Sequence, residues 1–137
     1  MYEVTTTDDL SLAADAVWAV IGDFSGIRKW ATLVEAESTI ETPAGKIRTL
    51  TMPGGRTIDE RLTDETAHSY SYTLDRPDMH TYLSTVSVQP SGADASRIVL
   101  VVKFDPKDQA KVAELTEGFG KFHRGNLKAM KRALGLI

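Results

Sequence analysis

The spacing of apolar and polar positions changes several times along the chain, and the changes outline one strand, a broken helix, a run of strands and one long helix. YEVTTTDDL reads as an extended first strand. The next stretch, AVWAVIGDFSGIRKW at residues 16–30, is a short apolar helix in which Val17, Trp18, Val20 and Ile21 leave one side with little polar surface. Gly22 and Gly26 punctuate it, so the pattern predicts a helix that breaks at Gly22-Asp23, re-forms briefly and ends in Trp30. Residues 34–40 form a weak strand closed by Pro43-Ala44-Gly45. Segments 46–52, 56–63, 68–74, 80–88 and 96–104 all carry β-type content, with Pro-Gly-Gly, Arg-Pro-Asp and Pro-Ser-Gly as turns between them. After Pro106, the positions Val112, Leu115, Phe119, Phe122, Met130 and Ala133 keep helical spacing over about seven turns, with Asn126 a polar exception among them.

The hairpin at Pro53-Gly54-Gly55 supports a more detailed reading. A loop of this kind with Gly in the left-handed position pairs Met52 with Arg56, Leu50 with Ile58 and Arg48 with Glu60. Leu62 falls on the same face, while Thr49, Thr51, Thr57, Asp59 and Arg61 fall on the other. The apolar majority marks the Leu50, Ile58 and Leu62 side as the inner one, so Arg48 and Glu60 are expected to point inward together. By the same alternation His68, Tyr70, Tyr72 and Leu74 share a face, as do His80, Tyr82, Ser84, Val86 and Val88. Tyrosines beside aliphatics predict an interior that is not uniformly apolar.

Composition narrows the function classes. A chain of 137 residues is expected to form one domain, residues 1–137, with a sizeable core. A net charge of -3 argues against non-specific binding to nucleic acid. The chain has no cysteine, which removes disulfides, iron-sulfur clusters and thiol chemistry and suits a reducing cytoplasm. No apolar run approaches the ~20 residues of a membrane span, and the N-terminus has early acids in place of a signal sequence, so a cytoplasmic location without integral membrane association is expected. His68, His80 and His123 have no metal-ligand spacing, so no metal is expected. Gly118-Phe119-Gly120 lies inside a helical pattern and reads as close packing, not a phosphate loop; no GxSxG is present. No cofactor is expected.

The VWAVIGDFSGIRKW block, the IRTLTMPGG turn, the DERL strand, SYSYTL, the Tyr82 strand and the VVKFDP that leads into the last helix together resemble the START/Bet v 1-like superfamily, specifically bacterial SRPBCC proteins of the polyketide cyclase/dehydrase group. The resemblance implies an α+β helix-grip fold. In it a curved seven-stranded antiparallel sheet wraps around a long C-terminal helix, and two short helices after the first strand close one end of a cavity. It also places Leu100 and Asp78, two departures from the group's usual residues, near that cavity. A dry void costs roughly 24 cal/mol per Å³, so a cavity of ~300 Å³ would cost about 7 kcal/mol if left empty. Polar lining with water, or a ligand, is the expected remedy.

The candidate ligand-binding residues are Arg48, Leu50, Ile58, Glu60, Tyr72, Tyr82, Leu100, Phe119 and Phe122. Glu60 and Tyr72 are also the catalytic candidates, and Trp30 is a candidate gate or a packing anchor. Arg48 and Glu60 can meet a ligand's polar end or form a buried structural ion pair. An adjacent arginine is expected to lower the Glu60 pKa, which counts against a general base. Tyr72 and Tyr82 are either ligand hydrogen-bonding groups or aromatic packing, and Tyr70 shares their face. His123 is expected to be exposed, with proton transfer at the cavity its alternative role. Asp23 is expected to cap the second short helix. Lys121, Arg124, Lys128 and Lys131 form a basic stripe, read as a solvated helix face that also complements the helix dipole.

Two functions fit this pattern, and a third is kept beside them. The first is carriage or sensing of a small hydrophobic or aromatic molecule, lipid-like or polyketide-like, by a monomer or homodimer. The second is a polyketide cyclase or aromatase-like enzyme that performs aldol cyclisation and dehydration in the same cavity. The third is a co-chaperone-like interaction module, which predicts a small or filled cavity. The fold accommodates all of them.

Overall fold

The computed structural model describes residues 1–137. Strand β1 (Tyr2–Leu10) leads into helix α1 (Ala14–Ile21) and a short 3₁₀ helix (Phe24–Lys29). Strands β2 (Ala36–Thr42), β3 (Gly45–Thr51), β4 (Thr57–Thr66), β5 (Ser69–Thr73), β6 (Met79–Gly92) and β7 (Ala95–Pro106) follow, and helix α2 (Val112–Ala133) ends the chain. The antiparallel sheet has the order β1-β7-β6-β5-β4-β3-β2. The two short helices therefore carry the chain from one sheet edge to the other. This is the helix-grip arrangement expected from the resemblance.

The break between the short helices has a steric cause. The Trp18 ring lies so close over Gly22 that a β-carbon there would sit 2.2 Å from it, so only glycine lets the ring cover the helix end. The Asp23 carboxylate then accepts from the Ser25 amide at 3.2 Å and caps the 3₁₀ helix, as expected. At the Pro53-Gly54-Gly55 loop both glycines have positive φ, 89° and 80°, and the Met52 amide bonds the Arg56 carbonyl at 2.7 Å. The register beyond it pairs Leu50 with Ile58 and Arg48 with Glu60, as the loop length requires.

Strict alternation buries Ser96, Ile98, Leu100, Val102 and Phe104 along β7. With Val17, Ile21, Phe24, Ile27, Trp30, Tyr70, Tyr72, Val86, Leu127 and Met130, the Ile98 and Leu100 end forms the main core. A smaller cluster of Met79, Val102, Phe104 and Phe119 closes the other end.

Several expectations need correction. Strand β6 runs through Pro90-Ser91-Gly92, and the turn falls at Ala93-Asp94. An irregularity between Met79 and Thr81 turns Met79 inward and leaves His80 exposed. On α2 the buried face is Phe119, Gly120, His123, Leu127 and Met130, so Phe122 stays 45% exposed. Gly118 is not a close-packing site, since a β-carbon there would meet nothing within 4 Å. No helix is long and apolar enough to cross a membrane.

Candidate functional site

Between the sheet and α2 lies a cavity of about 380 Å³, within the usual range for small-molecule sites. Its walls come from β3 (Arg48, Leu50, Met52), β4 (Glu60), β5 (Tyr70, Tyr72), β6 (Tyr82, Ser84, Thr85, Val86), β7 (Leu100, Val102), residues 30–34 and α2. Of 24 lining residues 15 are hydrophobic, so most of the wall is apolar. Leu33, 70% exposed, and Phe122 line it while reaching solvent, which puts the mouth between residues 30–34 and α2. At roughly 24 cal/mol per Å³ an empty dry void of this size would cost about 9 kcal/mol, comparable to the whole stability of a domain. The expected small or filled cavity of an interaction module is not found.

Arg48 and Glu60 face inward as predicted, and the three-dimensional setting separates their roles. The Arg48 guanidinium is 1% exposed. Its Nε donates to Glu60 Oε1 at 2.8 Å, a terminal nitrogen meets the same oxygen at 2.7 Å, and the other donates to the Phe24 carbonyl at 2.8 Å. The charge also lies 4.2 Å from the Phe24 ring centroid and 4.9 Å from that of Tyr72. Arg48 thus ties β3 to the 3₁₀ helix. Both bonds to Glu60 fall on Oε1, which leaves Oε2 without a protein partner at the cavity wall.

The expected lowering of the Glu60 pKa is reversed. Burial raises it and outweighs the opposing Arg48 charge and hydrogen bond. Burial, reinforced by the Glu60 charge, pushes Tyr82 up to about 12 and Tyr72 well above its ordinary value, while burial also raises Tyr70 against the pull of Arg48. All three phenols therefore keep their protons at neutral pH. Tyr70 is 1% exposed, so it does reach the interior.

Trp30 lies inside the cavity wall, 4% exposed, and its indole Nε1 is buried with no hydrogen-bond partner. The solvent-facing rim belongs to Leu33 and Phe122. His123 is buried, contrary to expectation: its Nδ1 lies 2.9 Å from Thr6 Oγ1, and burial lowers its pKa to about 4. It lines the cavity as a neutral imidazole.

Leu50, Tyr72, Tyr82, Leu100 and Phe122 line the cavity as the sequence suggested. Two other candidates do not. Ile58 is paired to Leu50, but β5 ends at Thr73 opposite Arg61, so no strand flanks Ile58 on that side and the cavity floor stops short of it. Phe119 packs 5.0 Å from the Phe104 ring and 5.8 Å from Tyr82, which makes it the plug of the smaller cluster. Asp78 is likewise outside, paired with Arg76 at 2.9 Å. Ser84 and Val86 were visible in the Tyr82 alternation, and Asn126 as the polar break in the helical spacing. Leu33 and Gly125 had no sequence signal.

Residues 1–135 match the family described as polyketide cyclase/dehydrase and lipid transport. Among solved structures, the Bacillus cereus protein XoxI is 27% identical with a TM-score of 0.80, over 98% of this chain and 96% of that one. A START superfamily protein from Mycobacterium smegmatis shares 12% identity at a TM-score of 0.77, over 98% of each chain. The di-domain ARO/CYC protein BexL shares 16% at 0.81, over 99% of this chain and 47% of its own. At such identities the last two are likenesses of fold alone. No curated protein matches the chain.

Proposed function

The chain belongs to the polyketide cyclase/dehydrase and lipid transport family, and from that membership we propose that it binds one small hydrophobic or aromatic molecule in its cavity, as a carrier or sensor. The observation that carries this reading is the cavity itself. An open, mostly apolar space of about 380 Å³ is joined to solvent beside Leu33 and Phe122 and has Glu60, Tyr72, Tyr82 and Ser84 on its wall. The apolar body of a ligand replaces water against the aliphatic wall, and the polar group meets these side chains. In this reading Arg48 is the structural partner that holds Glu60 in place, and Trp30 is a wall residue behind the rim.

A thermal-shift screen with fatty acids, flavonoids, sterols, quinones and aromatic polyketides tests it. A cavity ligand at ~100 times its dissociation constant adds about 2.7 kcal/mol of stability. Absence of any shift across all these classes would sink the carrier reading.

One observation favours a second reading. The raised Glu60 pKa, with a free Oε2 and the Tyr72 phenol on the same wall, suits an acid-base group for aldol closure and dehydration. Glu60→Gln and Tyr72→Phe separate the two readings once a ligand is known. Retained binding with lost turnover supports an enzyme, and parallel loss of binding supports a carrier.

A further inference from the structure

The charge balance of the cavity restricts what its ligand can be. We infer that the cavity selects an uncharged molecule bearing hydroxyl or keto oxygens and rejects carboxylates, fatty acids included; this rests on the cavity-binding reading above. The buried cation, Arg48, is already matched. Two of its donors converge on Glu60 Oε1, a third holds the Phe24 carbonyl, and the Phe24 and Tyr72 rings lie within 5 Å of its charge. Three of its five N–H donors are used, and the side chain is only 1% exposed, so it offers little accessible surface to a second carboxylate. The other cation on the wall, Lys121, is at the rim with a side chain 71% exposed, 3.8 Å from Glu117, too well solvated to compensate an anion held deeper.

A ligand carboxylate at the polar end would also meet the Glu60 carboxylate. Two such groups in one site cannot both stay ionised without a cation to spare. The groups left over suit a neutral partner. Glu60 Oε2, which has no protein partner, accepts from a hydroxyl. The protonated phenols of Tyr72 and Tyr82 add donors on the same wall. A site with buried polar groups awaiting partners discriminates strongly for molecules that supply them.

Matched naphthyl probes test the inference by calorimetry on the intact protein at pH 8. The wild type should bind 2-naphthol and 2-acetylnaphthalene at least about tenfold tighter than 2-naphthoate, because the carboxylate meets Glu60. Glu60→Gln should shift the naphthoate-to-ketone affinity ratio at least about tenfold toward naphthoate, since Arg48 is then left without an anion. Naphthoate binding the wild type as tightly as the ketone overturns the inference, and so does an unchanged ratio in the variant. The wild-type comparison stands even if the variant folds poorly. Failure of all three probes to bind is a different result: it counts against the cavity-binding reading, and the preference falls with it.

Discussion

The Arg48 guanidinium and the Glu60 carboxylate meet through a single oxygen, Oε1, at 2.7 and 2.8 Å. Neighbouring strands present them at the same register position, and a further Arg48 hydrogen bond reaches across to the Phe24 carbonyl on the 3₁₀ helix. One side chain thus ties the hairpin to the segment that closes the cavity.

Removing only one partner of this pair should be costly. Arg48→Met leaves the Glu60 carboxylate buried without a cation, an expected loss of about 3–5 kcal/mol at pH 7. Burial raises the Glu60 pKa in the fold, and without Arg48 nothing offsets that burial, so the penalty should shrink as pH falls and the carboxyl takes up a proton. Urea denaturation at pH 5 and pH 7 measures both effects. Adding Glu60→Leu should recover most of the loss.

His123 makes stability depend on pH with the opposite sign. Burial lowers its pKa from 6.5 to about 4, so the folded state resists the charged imidazole. The corresponding stability is fully present above pH 6.5 and is lost as pH falls toward 4, with an order of magnitude of about 3 kcal/mol. The difference in unfolding free energy between wild type and His123→Gln, followed from pH 7 to pH 4, should narrow by about that amount. A constant difference would show that His123 does not titrate as described.

Two glycines of α2 should respond alike in stability and differently in binding. A β-carbon at either Gly118 or Gly125 meets nothing within 4 Å, so Gly→Ala at each should stabilise the helix by about 1 kcal/mol. Gly125 lines the cavity and Gly118 does not. Gly125→Leu should therefore raise the melting temperature while weakening ligand binding at least about tenfold, whereas Gly118→Ala should leave affinity unchanged.

Gly22→Ala should have the reverse effect on stability. The added methyl group would lie 2.2 Å from the Trp18 ring, which itself packs near His68 and Tyr70. A loss of about 1–3 kcal/mol in chemical denaturation is expected. Trp18→Leu in the same background should relieve much of it by removing the ring that clashes.

Features set by local geometry were legible along the chain. The Pro53-Gly54-Gly55 loop specifies its own register, and a period of two then puts Arg48, Leu50 and Glu60 on one face. The break at Gly22 and the Asp23 cap are equally local. The order of elements carried the resemblance that named the fold. Features that depend on packing from a distant part of the chain were not legible in this way. Ile58 drops out of the cavity because β5 is short, and Phe119 because Phe104 and Tyr82 receive it. His123 is buried because β1 offers Thr6 to it. The sign of the Glu60 shift is the clearest case: the neighbouring Arg48 was visible in the pairing, but the burial that outweighs it comes from the elements closing over that pair. Desolvation is a property of everything around a group, and no spacing along the chain records it.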